Sequence, residues 1–211
     1  MTAAVAVLAS GGGTNLQSLL DAAAASGSYR VTRLISNRAD AGALDRARRA
    51  GITATVVGNP VDAAEVTAAL GDADLVVLAG YLKLVPAAVV ARFRWRMINI
   101  HPALLPAFGG TGMYGLRVHA AVLASGAAVT GATVHYVDEA FDRGPVIAQW
   151  PVPVRSGDTP DALAGRVLAV EHRLLPTVVT ELARRGFPPG VRLLPAGTGF
   201  VAGDTPALDL R

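Results

Sequence analysis

The chain has 211 residues, of which 52% are hydrophobic and 17% charged, with a net charge of +3 and no cysteine. That length and composition suit one packed domain and exclude a disordered chain. The lack of cysteine excludes disulfides, thiolate nucleophiles and cysteine-ligated metals.

Short apolar runs alternate with helical patterns over the first hundred residues. Ala4–Leu8 is predicted as a buried strand, and Asn15–Ala25 as a helix carrying Leu16, Leu19 and Leu20 on one side. Val31–Ser36 is the next strand, and Ala41–Ala50 a helix stopped by Gly51. Thr53–Val57 (strand), Asp62–Leu70 (helix) and Leu75–Ala79 (strand) follow. Pro86–Phe93 is a short helix with proline in its first turn, and Met97–Ile100 another strand. The pattern then changes. A Pro/Gly-rich loop runs over 102–115, Val118–Ala124 is helical, and Ala132–Val137 and Val146–Val154 are strands around a polar turn. Pro160–Arg185 is a long helical region.

The alternation predicts an α/β fold of Rossmann-like type, an open and mostly parallel sheet with helices on both faces. Residues 1–185 form the predicted domain, and 186–211 a loose tail packed on it or extending from it. The mean hydropathy of +0.41 does not signal a membrane span. The most apolar stretch, 75–90, is broken by Gly80, Lys83 and Pro86 and falls short of a bilayer. No signal-peptide pattern opens the chain. The sequence pI is about 9.8, but the arginines are scattered, as at 46–49, 92–96 and 184–185. Solvated helix faces account for them better than a nucleic-acid surface, so neither nucleic acid nor membrane is the expected partner.

Three segments carry chemistry. Ser10-Gly11-Gly12-Gly13-Thr14-Asn15 joins the first strand to the first helix. Glycines there let a ligand approach the backbone, and the free N–H groups of a helix start attract an anion. A dinucleotide fingerprint fails, because Leu16 stands where its third glycine belongs, and a Walker loop fails for want of a lysine. A phosphate monoester fits better; a tight turn serving only packing is the other reading. Asn99 and His101 are two apart on a strand, so both project to one side near its carboxyl end. They could place an amine and polarise an oxyanion, or form no more than a satisfied strand end. Asp142, in the turn before Gly144-Pro145, is either the partner of His101 or an ordinary turn aspartate.

Taken in order, these segments, with Ser36-Asn37-Arg38-Ala39-Asp40, Leu78-Ala79-Gly80-Tyr81-Leu82-Lys83-Leu84, Asn99-Ile100-His101-Pro102-Ala103-Leu104-Leu105-Pro106, Gly131–Val137 and Asp142-Arg143-Gly144-Pro145, resemble the phosphoribosylglycinamide formyltransferase family across about residues 4–185. The resemblance implies a cytoplasmic enzyme that moves a formyl group from 10-formyltetrahydrofolate to an amine, with no metal. It assigns catalysis to Asn99, His101 and Asp142, with His101 cationic beside Asp142 and Asn99 bonded to the formyl oxygen. It places the substrate phosphate on Gly13, Thr14 and Asn15, and the ribose on Glu171. Leu82, Lys83, Leu84 and Val85 would line the pterin pocket, with Asn99 and Asp138 also on the folate side. Leu105-Pro106 matches a proline that is cis in relatives, and a homodimer is allowed. An arginine of relatives that meets the folate tail is missing from the segment Asp62-Ala63-Ala64-Glu65, and the loop 108–115 is one of several variants. His119, His135 and His172 are expected to be structural. The rival readings are a formyltetrahydrofolate deformylase, usually preceded by a regulatory domain, and a non-catalytic folate- or nucleotide-binding module.

Overall fold

The computed structural model describes residues 2–193. Seven strands, β1 (Ala3–Leu8), β2 (Tyr29–Ser36), β3 (Thr53–Val56), β4 (Leu75–Leu78), β5 (Met97–His101), β6 (Val129–Tyr136) and β7 (Val146–Pro153), form one sheet. Its order is β3-β2-β1-β4-β5-β6-β7. β1 to β5 are parallel, and β6 and β7 extend the sheet antiparallel. The helices are α1 (Thr14–Ser26), α2 (Gly42–Arg49), α3 (Ala63–Leu70), α4 (Ala87–Arg92), α5 (Leu116–Ser125) and α6 (Pro160–Arg184).

Alternation along the strands builds two cores. Val5 and Val7 of β1 pack with Leu16, Leu19, Leu44 and Leu175, on the side of α1, α2 and α6. Ala6 and Leu8 face the other way, with Val66, Leu70, Val89 and Phe93 of the α3 and α4 side. Both faces of β1 are thus covered, which is why its sequence is a continuous apolar run. From β1 the chain moves out to β2 and β3, then returns past β1 to β4 and β5. This reversal opens the crevice where such sheets take ligands.

Differences from expectation lie at element ends. Asp62 is not in α3 but caps it, accepting from the N–H groups of Ala64 and Glu65. Pro86 likewise precedes α4 as its cap, with ψ 137°, outside the helical range. β5 runs one residue further, through His101, because its antiparallel partner β6 pairs His101 with Thr133. The tail packs on the sheet as far as it is described: Leu193 N–H donates to the Ile147 carbonyl at 2.7 Å and Val191 N–H to the Tyr136 hydroxyl at 3.2 Å. The remainder of the predicted tail, 194–211, lies outside the described residues. No helix among those described is long and apolar enough to cross a membrane.

Candidate active site

On β5, Ile98 and Ile100 turn into the larger core, so Asn99 and His101 project from the opposite face. His135 stands directly across from Asn99 in the β5–β6 register and joins them there. The β6–β7 connection doubles back over this face and carries Asp142 to it. Asp142 has φ +57°, a left-handed conformation that aspartate tolerates better than most residues.

The carboxylate of Asp142 is the hub. Its Oδ2 accepts from the Gly110 N–H at 2.9 Å and lies 3.5 Å from His101 Nδ1. Its Oδ1 accepts from Asn99 Nδ2 at 3.3 Å and lies 3.5 Å from His135 Nε2. Asn99 Nδ2 donates also to His135 Nε2 at 3.0 Å, while His135 Nδ1 donates to the Tyr136 carbonyl at 2.8 Å. Both amide hydrogens of Asn99 are therefore spent inside the cluster. Turned the other way, its carbonyl would face the Asp142 carboxylate, so the charges permit only this orientation. The free group of Asn99 is its Oδ1, an acceptor suited to an amine N–H. The expected bond from Asn99 to a formyl oxygen would require that amide to turn.

His101 Nε2 donates to the Phe108 carbonyl at 2.8 Å. Burial pulls the His101 pKa below the ordinary histidine value, against the opposing pull of Asp142 and the Phe108 carbonyl. Burial thus works against a cationic ring and the nearby carboxylate works for it. For Asp142 burial raises the pKa, but the neighbouring His135 and His101 and the Gly110 N–H together bring it below the usual carboxylate value.

These residues sit in a cavity of about 680 Å³ that also collects Leu82, Lys83, Leu84, Val85, Asp138, Asn15 and Glu171. In its wall Asn15 Nδ2 donates to Glu171 Oε2 at 2.7 Å. Glu171 is 7% exposed, and burial pushes its pKa up to about 7, with the Asn15 bond acting in the opposite direction. Five buried side-chain atoms lack a partner among the described residues, and three of them, Asn15 Oδ1, Tyr81 Oη and His119 Nδ1, belong to residues lining this cavity. Polar groups left unpaired in this way mark a place built for a polar ligand.

The glycine loop adjoins that wall. Gly13 has φ +74° at the head of α1, and a Cβ there would lie 2.7 Å from Cα of Ala43, so no other residue fits. The α2 side holds the loop: Ala43 N–H donates to the Gly11 carbonyl at 3.0 Å and Arg46 Nε to the Gly12 carbonyl at 2.8 Å. α1 has no side-chain cap and no acidic residue in its first turn, which leaves its first amides and dipole open to an anion. Thr14 faces a neighbouring shallow groove with Gln17, Arg46 and His172, whereas Asn15 faces the main cavity.

The sequence reading missed His135, the Phe108 carbonyl and the Gly110 N–H. Antiparallel pairing of β6 with β5 brings His135 in, and a sequence pattern signals strands but not which edge they join. Phe108 and Gly110 belong to an irregular turn with φ +55° and +95°. The Leu105–Pro106 peptide is cis.

Residues 3–179 match the family described as formyl transferase. The chain belongs to the formyl transferase family. It is 43% identical over 188 residues to the chloroplastic phosphoribosylglycinamide formyltransferase of Vigna unguiculata, covering 84% of this chain and 60% of that protein. To the phosphoribosylglycinamide formyltransferase of Escherichia coli (strain K12) this chain is 38% identical over 188 residues, 85% of one chain and 86% of the other. The crystal structure of the enzyme of that name from Anaplasma phagocytophilum superposes with a TM-score of 0.81 at 38% identity, covering 88% of each chain. The chain thus spans about 60% of the length of the plant relative. The family match and the structural likeness bear out the predicted fold.

Proposed function

We propose that this formyl transferase moves the formyl group of 10-formyltetrahydrofolate to the amino group of glycinamide ribonucleotide. The observation that carries the reading is the meeting of Asn99, His101 and Asp142 in one cavity that is also lined by Asn15, at the open start of α1, and by Glu171. The names of relatives at about 40% identity agree with it. The phosphate would cap the amides of Gly13, Thr14 and Asn15. The ribose hydroxyls would answer the unpaired Asn15 Oδ1 and the Glu171 carboxyl. The donor would enter along Leu82–Val85, beside Asn99 and Asp138.

Asn99 Oδ1 accepts from the amine and directs its lone pair at the formyl carbon. As the tetrahedral adduct forms, its oxygen gains negative charge. His101 Nε2–H exchanges the Phe108 carbonyl for that oxygen, a stronger acceptor, and the ring gains proton affinity from it and from Asp142. The amine proton passes by way of Asp142 to the departing folate nitrogen, the C–N bond to folate breaks, and the formamide remains. Donors of this kind contribute roughly 10²–10³ each, and general acid–base help about 10²–10⁴. The assay is folate-dependent formylation of glycinamide ribonucleotide by the purified chain; release of formate with no formylated amine would instead identify a deformylase.

A further inference from the structure

Beyond the carboxyl end of β1 the chain leaves the sheet through Ser10, which is buried. β2 and β4 flank β1 on its two sides, and Ser10 bonds to the segment that leaves each of them. Its Oγ donates to Asn37 Oδ1 at 2.6 Å, just past β2. The same oxygen accepts from the Leu82 N–H at 2.9 Å, and the Ser10 N–H donates to the Gly80 carbonyl at 3.0 Å, both beyond β4. A hydroxyl has one proton to give, so the proton goes to Asn37 and a lone pair to Leu82. The bond from Leu82 has no substitute. Among the described residues, no other hydrogen bond reaches the backbone of Leu82, Lys83, Leu84 or Val85. These four residues belong to no helix or strand, yet they line the cavity. In the other direction Ser10 is the root of the glycine loop. Gly11 and Gly12, the next two residues, are exposed and have open space where a side chain would stand.

We infer that Ser10 is a positioning residue that joins the acceptor loop to the donor wall, so that filling one tightens the other. The inference rests on the proposed donor and acceptor sites and adds the residue between them. A phosphate on the amides of Gly13, Thr14 and Asn15 restrains the loop rooted at Ser10. With Ser10 restrained, the Leu82 N–H has a fixed acceptor, and the wall is ordered before the donor arrives. A ligand that meets an ordered wall gives up less freedom on docking and binds more tightly. Reciprocity then requires the donor to tighten the acceptor by the same factor.

The test measures binding of pteroylmonoglutamate, which carries no formyl group, to the full chain by fluorescence titration, with and without saturating glycinamide ribonucleotide. The wild type is expected to bind it about fivefold more tightly when the acceptor is present. Ser10→Ala brings that ratio close to one, and Ser10→Thr, which keeps the hydroxyl, restores part of it. A serine needed only for packing would lower Tm in the alanine variant and leave the ratio alone. In the wild type, hydrogen exchange at the Leu82 amide, read by NMR, should slow when glycinamide ribonucleotide is added, a measurement that stands even if Ser10→Ala does not fold. A wild-type ratio of one, a ratio unchanged in a folded Ser10→Ala chain, or a Leu82 amide indifferent to the acceptor overturns the joint. Failure of the wild type to bind pteroylmonoglutamate or glycinamide ribonucleotide at all would instead sink the proposed function, and the joint with it.

Discussion

Replacing Glu171 by glutamine isolates the cost of one buried charge. With a pKa near 7 in the folded chain and 4.5 as its ordinary value, the carboxyl holds its proton more tightly folded than unfolded. Between those values the folded state binds more protons, so stability falls as pH rises from about 4.5 and levels off above about 7. A rise from 4.5 to about 7 corresponds to roughly 3 kcal/mol lost at pH 8. Glu171→Gln keeps an oxygen for Asn15 Nδ2 and adds a donor that the unpaired Asn15 Oδ1 lacks. Without ligands, its Tm at pH 8 should exceed that of the wild type by about 6–10 °C, with the difference gone at pH 4. Scanning calorimetry across pH reads this directly. A Glu171→Gln chain no more stable than wild type at pH 8 would refute the claim that the carboxylate is held there at a cost. The same substitution should remove an ionisation near pH 7 from the profile of kcat/KM for the phosphorylated acceptor.

His101→Ala should lower kcat by about 10²–10⁴ while circular dichroism still reports a folded chain; normal turnover would remove His101 from the mechanism. Asp142→Asn keeps the shape but takes away the charge at the centre of the cluster, and a loss of at least about 10² in kcat is expected in the steady-state assay. Thr14→Ala and Asn15→Ala should raise KM for the phosphorylated acceptor more than KM for the folate, whereas equal effects would indicate damage to the fold. Gly13→Ala forces a Cβ against Ala43 in a left-handed conformation, at a cost of about 1–3 kcal/mol, visible as a lower urea midpoint together with weaker acceptor binding.

The helical period and the apolar runs placed every strand and helix within a few residues, because burial on both faces of a parallel sheet leaves a strong signature in β1 and β4. The ends were harder. Asp62 and Pro86 belong to helix caps, whose residue types do not reveal on which side of the boundary they fall. Two-residue spacing was enough to set Asn99 and His101 side by side. The amide orientation of Asn99 was not legible, since it depends on His135 and Asp142 together. The opposing influences on His101 were not legible for a similar reason: a nearby carboxylate can be guessed from motif order, but the burial that works against it needs the packed loops around Phe108 and Gly110.

β5 is bounded by a parallel neighbour on one side and an antiparallel one on the other. A slip of one residue against β6 would send His135 to the opposite face and leave Asn99 opposite Val134 or Tyr136. Natural length drift in such a chain is thereby confined. Any gain or loss of one residue inside β6 takes His135 out of the cluster around Asp142.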